Sequence, residues 1–483
     1  MTGDATGTAD GQPAAIALID GEHYPPVVRA ALQSLRTRFR FVGALFLGGR
    51  EKLRFGSPTE VDRLLAAEYG LPVTMAPESS GEQAEARLLE CVLRFLERTG
   101  ARVVVDLSDE PVVGYKERFL LMSAAAARGV WYVGADFELR PQPLERLGSA
   151  PTLGVIGTGK RVGKTAISGY LARQLSAAGE RVVVLAMGRG GPAEPELIDG
   201  AAGVTAADLL AASRRGRHAA SDHYEDAALA NVLTVGSRRC GGGLAGAPFD
   251  STVARAVPLL RSVPASIVLI EGSGAAIPPV WADATVCVAS AAQSVEYVAG
   301  YLGTFRLLIA DLLVVTMCEP PLADAAALGR LIAAAHRVVP GLPVLPTVFR
   351  PRPLGDVRGR RVAYFTTAPS SNVAALRAYL QDVSGADVVV ASGDLADRPA
   401  LVRAVRRAQK EAEVFVTEIK AAAIDVVAEA AAEAGKDVVF CDNEPVAVEG
   451  GDLKAACVDV AARAQQRFAT ARPEPEDVRR THG

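Results

Sequence analysis

Short apolar runs, alternating with stretches of helical spacing, recur along the chain. Residues 14–20 (AAIALID), 41–49 (FVGALFLGG), 102–110 (RVVVDLSDE) and 130–137 (VWYVGADF) read as strands. Continuous apolar runs of about four to eight residues suit strands covered on both faces, and their alternation with helical segments predicts a doubly wound parallel sheet. Residues 138–151 carry three prolines and little periodicity, so they mark a boundary. The same grammar restarts at 152–159 (TLGVIGTG) and runs through a helix from 164 to 178, then through 181–188, 266–274, 284–290 and 311–318. A Pro- and Arg-rich stretch at 342–360 marks a second boundary, after which 362–368, 386–392, 413–419 and 437–443 alternate with Ala-rich helices. The pattern predicts three α/β domains with mostly parallel sheets, spanning 14–149, 150–345 and 346–471, with polar tails at 1–13 and 472–483 expected to be disordered.

The central segment contains GTGKRVGKT (157–165) directly between an apolar strand and an amphipathic helix, the context of a P-loop NTPase fold. Glycines let the backbone N–H groups turn inward, and the helix N-terminus adds its dipole to the same anion. The expected ATP-binding run is Gly157, Thr158, Gly159, Lys160, Arg161, Val162, Gly163, Lys164, Thr165 and Ala166. Within it Lys164 reaches the β- and γ-phosphates and the Thr165 hydroxyl ligates Mg²⁺. Thr158 stands where the simple template has glycine, so the loop is a variant, similar to the longer loop of dethiobiotin synthetase and its ATPase relatives. Glu271, after four apolar residues and before Gly272, is the candidate metal carboxylate. Thr316 and Glu319 follow another strand, where nucleotide-base loops sit in this class.

Arg189, in a glycine-rich stretch with Glu194, Glu196 and Asp199, is a candidate for steadying transferred phosphoryl charge beside Lys164 and Lys160; a plain polar loop is the competing reading. Asp222, His223 and Glu225 form one candidate site loop, and Arg238 and Arg239 before a glycine run form another. In the first domain Asp20, His23 and Tyr24 follow a strand end, where open α/β sheets bind ligands, with Arg50, Lys52, Asp106, Asp109, Glu110, Lys116 and Arg118 near other strand ends. We take Asp20, His23, Tyr24, Lys116, Arg118 and Arg239 as the substrate-anion candidates. Arg350, Arg352, Arg358 and Lys420 are further candidate clamps in the third domain.

Composition narrows the partners. Fifty-two Lys plus Arg against 55 Asp plus Glu leave a net charge of -3, so no overall basic field argues for nucleic acid. The six cysteines are scattered singly, without the close pairs of zinc sites or secreted disulfide frameworks, which fits reduced thiols in the cytoplasm. The first 13 residues lack the basic and apolar regions of a signal peptide, and the most apolar long stretch, 301–317, is broken by Arg306 and Asp311, so no membrane span is expected.

Taken together, LIDGEHYPPVV, DLSDEPVVGYKERF, IGTGKRVGKTAISGYLA, MGRGGPAEPELI, EGSGAAIPP, FRPRPLGDVRGRRVAYFTTAP and VTEIKAAAIDVV resemble the cyclic 2,3-diphosphoglycerate synthetase family over nearly the whole chain. The resemblance implies an ATP- and Mg²⁺-dependent enzyme, a homodimer, that transfers the γ-phosphoryl group to one phosphate of 2,3-diphosphoglycerate. The other phosphate then attacks and orthophosphate leaves. Two rivals stay open on sequence. One is a carboxylate-activating ligase of dethiobiotin synthetase type, which shares the loop and the glutamate. The other is a regulatory switch ATPase, whose loop places its extra lysine differently.

Overall fold

The computed structural model describes residues 11–49, 61–77, 83–448 and 450–471. Arg50, Lys52 and nearly all of both expected tails lie outside the described residues. The chain forms two compact units. The first comprises Met1–Gln142 together with Ser294–Ile309 and Arg330–Gly341, and the second comprises Pro143–Gln293, Ala310–Gly329 and Leu342–Gly483.

The first unit is built on strands β1 (Ala14–Ile19), β2 (Arg40–Phe46), β3 (Val73–Met75), β4 (Val103–Asp106), β5 (Trp131–Val133) and β6 (Glu138–Leu139), in the order β3-β2-β1-β4-β5-β6. All neighbours are parallel except β5 and β6. Ala15 to Ile19 are fully buried, as apolar runs sandwiched between helices must be. The order reverses between β1 and β4, so the loops after Ile19 and Asp106 meet at the switch point.

The second unit carries β7 (Thr152–Gly157), β8 (Val182–Gly188), β9 (Glu196–Asp199), β10 (Leu233–Cys240), β11 (Asp250–Ser251), β12 (Ile267–Glu271), β13 (Ala284–Ser290), β14 (Leu312–Thr316), β15 (Val344–Pro353), β16 (Arg361–Phe365), β17 (Asp387–Ser392), β18 (Val414–Thr417) and β19 (Asp437–Ala447). They join in one 13-stranded sheet, ordered β11-β10-β8-β12-β7-β13-β14-β15-β19-β18-β16-β17, with β9 on β10. Strands β7, β12 and β13 lie side by side and in parallel, which brings the ends of β7 and β12 together.

The stretch read from sequence as a boundary contains β15, which stitches the sheet. Its Val344–Pro346 portion pairs in parallel with β14, and Thr347 to Pro353 pair antiparallel with β19. Each residue has a strand neighbour on one side only, which is why the strand accommodates three prolines that donate no ladder hydrogen bond. Arg173 of the helix Lys164–Ala177 reinforces the join, pairing with Asp442 at 2.7 Å and with Glu444 on β19, where Arg352 from β15 also bonds both carboxylates. One apolar cluster likewise combines Leu209, Tyr224 and Ala228 with Phe365, Phe415 and Ile419, so the helices after β9 share a core with the C-terminal strands.

Candidate active site

Strand β7 is buried throughout and ends at Gly157, after which the loop runs to Gly163 and the helix Lys164–Ala177 begins. Gly163 has φ 90°, and a Cβ there would lie 2.4 Å from the Phe349 ring of β15, so only glycine fits. Arg161 is held at φ 61°, a left-handed conformation uncommon outside glycine, so strain is stored in the loop itself. Val162 anchors the loop in the core below it. The Thr158 hydroxyl donates to Gln293 Oε1 at 2.7 Å, fixing the loop from its flank. Lys160 and Arg161 are exposed, and Ala166 is buried.

Lys164 is only 7 % exposed and donates from Nζ to Gly159 O at 3.0 Å, across the loop that a phosphate group would fill. Burial depresses its pKa to about 8, partly opposed by the negative charges of Glu271 and Asp222. Thr165 Oγ1 donates to Glu271 Oε1 at 2.7 Å, so the expected metal pair is in contact.

Sequence reading missed one residue here. Asp226, on the helix Asp222–Ala230, adjoins Glu271; the two carboxyls are 1 % and 2 % exposed. Both oxygens of Asp226 and Glu271 Oε2 are buried without a hydrogen-bond donor. Burial holds both carboxyls above the usual range; the Glu271 charge raises Asp226 further, and the Asp222 charge raises Glu271, while contact with Asp226, Thr165 and Lys164 draws Glu271 back down. Such an oxygen-only, charge-rich set with orphaned acceptors fits Mg²⁺. Among the described residues no three His, Cys, Asp or Glu side chains form a metal cage, so the ion would be completed by nucleotide phosphates and water, as Mg²⁺ prefers. The signal in the sequence was the i, i+4 spacing of Asp222 and Asp226, which puts both on one helix face.

Arg189 follows β8 and Arg239 ends β10. Both guanidiniums reach Gly274, where a Cβ would lie 2.6 Å from Arg189 Nη2 and 3.2 Å from Arg239 Nη2; Gly274 has φ 64°. Arg239 is held by Ser273 O at 2.6 Å, its Nε is buried without an acceptor, and burial followed by the Arg189 charge lowers its pKa. Arg189 is exposed and makes no hydrogen bond or ion pair among the described residues. Two guanidiniums side by side repel unless an anion lies between them, so this corner offers an anion a place. Beside it, Gly190, Gly191, Arg217 and His218 line a cavity of about 540 Å³.

Other expected residues take different tasks. Thr316 is fully buried and donates to Val162 O at 2.9 Å, supporting the loop from below instead of touching a base. Glu319 forms a two-bond pair with Arg350, both contacts at 2.7 Å. Glu194 pairs with Arg255, Glu196 with Arg217, and Asp199 caps a short helical turn, so none of these acids belongs to the metal corner. The segment 222–230 is a helix and not a loop; His223 is 3 % exposed, its Nδ1 bonded to Ser221 Oγ, and burial drives its pKa down to about 4. That makes it a neutral core residue. In the first unit Asp20 is fully buried and accepts from the backbone of Glu22, His23 and Asp109 and pairs with the His23 ring, so its acceptor capacity is used up inside the protein. Arg118 is bonded to Asp106 and Ser108 O. Tyr24 is exposed, and Lys116 faces a separate cavity of about 410 Å³ with Tyr115, Phe119 and Tyr301. Five of the six substrate candidates, Asp20, His23, Tyr24, Lys116 and Arg118, belong to the first unit, and Arg239 belongs to the second, at the phosphate-loop corner.

Comparison with known proteins covers most of the chain. Residues 152–348 match the P-loop domain of cyclic 2,3-diphosphoglycerate synthetase, 353–444 its C-terminal domain and 14–140 its N-terminal domain. Cyclic 2,3-diphosphoglycerate synthetase of Rubrobacter xylanophilus is 50% identical over 438 residues, 90% of this chain and 94% of that one. The namesakes from Thermococcus gammatolerans (46%; 91% and 95% covered) and Methanothermus fervidus (40%; 94% and 98% covered) align at similar length.

Proposed function

Because this chain belongs to the cyclic 2,3-diphosphoglycerate synthetase family, we propose that its phosphate loop delivers the γ-phosphoryl group of ATP to one phosphate of 2,3-diphosphoglycerate, after which the second phosphate closes the ring. The reaction converts ATP and 2,3-diphosphoglycerate into cyclic 2,3-diphosphoglycerate, ADP and orthophosphate. In the first step a substrate phosphate oxygen attacks the γ-phosphorus and ADP departs. In the second, an oxygen of the neighbouring phosphate attacks the phosphorus now carrying the transferred group, and orthophosphate leaves with the electron pair of the broken anhydride bond. No strong base is required, since a phosphate monoester is already largely anionic near pH 7.

The obstacle is charge, because two substrate phosphates and a triphosphate must crowd together. Lys164 meets the transferred group from within the loop, and inward N–H groups hold the β-phosphate. Arg189 and Arg239 take the acceptor phosphate; their convergence at Gly274 without a bonded carboxylate is the observation that carries this reading. Thr165, Glu271 and Asp226 would hold Mg²⁺, which when bound neutralises charge on the β- and γ-oxygens. Lys160, exposed on the loop, adds positive potential at its mouth.

The arginine corner is tested by steady-state kinetics on Arg189→Ala and Arg239→Ala. We expect each to lower kcat/KM for diphosphoglycerate by about 10²–10³-fold, as loss of one transition-state donor does, with ATP affinity kept. Wild-type kcat/KM in both variants would remove the corner from the reaction. The family resemblance also carries a cytoplasmic homodimer into this reading, and sedimentation of the full chain at two concentrations tests the dimer.

A further inference from the structure

We propose that Lys420 is a positioning residue, which acts through Glu225 to set the helix Asp222–Ala230 against the metal end of the phosphate loop. The inference rests on the metal role assigned above to Thr165, Glu271 and Asp226. Lys420 lies just beyond β18, in the C-terminal part of the chain, and its Nζ meets Glu225 Oε1 at 3.0 Å. Glu225 is buried and neighbours Asp226, the residue that adjoins Glu271. The helix therefore carries two acidic contacts one residue apart: Glu225 reaches back to the C-terminal strands, and Asp226 reaches to the metal corner.

The base from which Lys420 reaches is firmly built. Glu418, two residues earlier, is buried and accepts from the hydroxyls of both Thr366 and Thr367. After Lys420 the chain turns at Ala421, φ 49°, into a π-helical turn, Ala423–Ala428, packed in the same apolar cluster as Tyr224 and Ala228. Burial opposes the Lys420 ammonium, but the carboxylates of Glu225, Glu418 and Asp442 outweigh it and hold its pKa above the ordinary lysine value. The arrangement answers a physical problem. Asp222, Glu225, Asp226 and Glu271 repel one another, and a buried carboxylate stripped of its cation is strongly unfavourable. Without Lys420 the buried Glu225, its pKa already raised to about 8 by burial, either keeps a proton or turns toward water, and in both cases the ion pair that ties the helix, with Asp226, to the C-terminal strands is lost.

The test is Mn²⁺ affinity, read by electron paramagnetic resonance on the full chain with ADP present, for Lys420→Met, Glu225→Gln and Lys420→Arg, with Glu271→Gln alongside. Outer-shell partners of metal ligands typically change affinity by about 10–100-fold. Lys420→Met and Glu225→Gln are expected to weaken Mn²⁺ binding within that range, with the KM for diphosphoglycerate unchanged and ADP binding in EDTA retained. Lys420→Arg is expected to restore most of the affinity. Normal Mn²⁺ affinity in Glu225→Gln overturns the proposal, and so does a Lys420→Met enzyme whose only defect is a raised KM for diphosphoglycerate, since that makes Lys420 a substrate contact. If Lys420→Met does not fold, Glu225→Gln decides alone. Unchanged Mn²⁺ affinity in Glu271→Gln is a different failure, that of the metal assignment itself.

Discussion

The strand ends of the first unit and those of the phosphate-loop corner carry the same residue types, and they differ in how far those residues are satisfied. Asp20 takes backbone hydrogen bonds from three residues together with the His23 ring, and Asp106 is bonded to Ser108, Arg118 and Tyr132. At the other corner Asp226 has no donor, Glu271 has one oxygen unserved, Arg239 keeps a buried N–H without an acceptor, and Lys164 is desolvated. Polar groups buried without partners are unfavourable, and a fold retains them where a ligand completes them. The two places thus differ in unmet hydrogen-bonding capacity, which is what an incoming ligand would complete.

The contrast is easiest to break with substitutions on each side. Lys164→Ala is expected to lower kcat by about 10³-fold or more while the melting temperature holds. Asp226→Asn is expected to lower turnover by about 10²-fold, within the range for residues that hold or orient a metal, yet to stabilise the folded protein at alkaline pH. The Asp226 and Glu271 carboxyls are held above their ordinary range, so the folded state binds their protons more tightly than the unfolded chain does. The stability this confers is whole below the ordinary carboxyl pKa and is lost as pH rises through the folded-state value. Asp226→Asn should therefore melt about 2–4 °C higher than the wild type near pH 8 and close to it near pH 5. A variant that melts lower at pH 8 would mean that the pair is not strained.

A third change needs no mutation. The Lys164 ammonium, with its pKa depressed to about 8 by burial, is charged below that value and neutral above it. ATP affinity measured calorimetrically in EDTA should weaken above about pH 8 by up to tenfold per unit, and Lys164→Ala should lose this dependence. The smallest kinetic effect belongs to the first unit. Asp20→Ala is expected to destabilise the fold by about 1–3 kcal/mol through the donors it strands, with kcat/KM at 25 °C within about twofold of wild type. A large loss of kcat/KM without loss of stability would move the substrate back to that strand end.

Much of this was legible in the chain. The buried strands declared themselves as apolar runs, and the phosphate loop and Glu271 were visible because each is a local pattern: a strand, then the residues its end must present. Asp226 was not: its i, i+4 spacing from Asp222 could be read, but its importance comes from meeting Glu271 across space, which that spacing does not show. β15 was hidden by its prolines, which read as a boundary until each half of the strand is seen to need a partner on one side only. No periodicity showed that Ser294–Ile309 and Arg330–Gly341 group with the N-terminal residues. Arg189 and Arg239 were found singly, but their meeting at Gly274 depends on how β8, β10 and β12 are ordered.

The claim on which the rest depends is that this loop drives ring closure by phosphoryl transfer. Phosphorus NMR of the full chain with ATP, Mg²⁺ and 2,3-diphosphoglycerate tests it directly. New phosphoanhydride resonances should grow in step with ADP and orthophosphate, and none should appear with Lys164→Ala. ATP turnover without a phosphoanhydride product, or ring formation undiminished in Lys164→Ala, would contradict it.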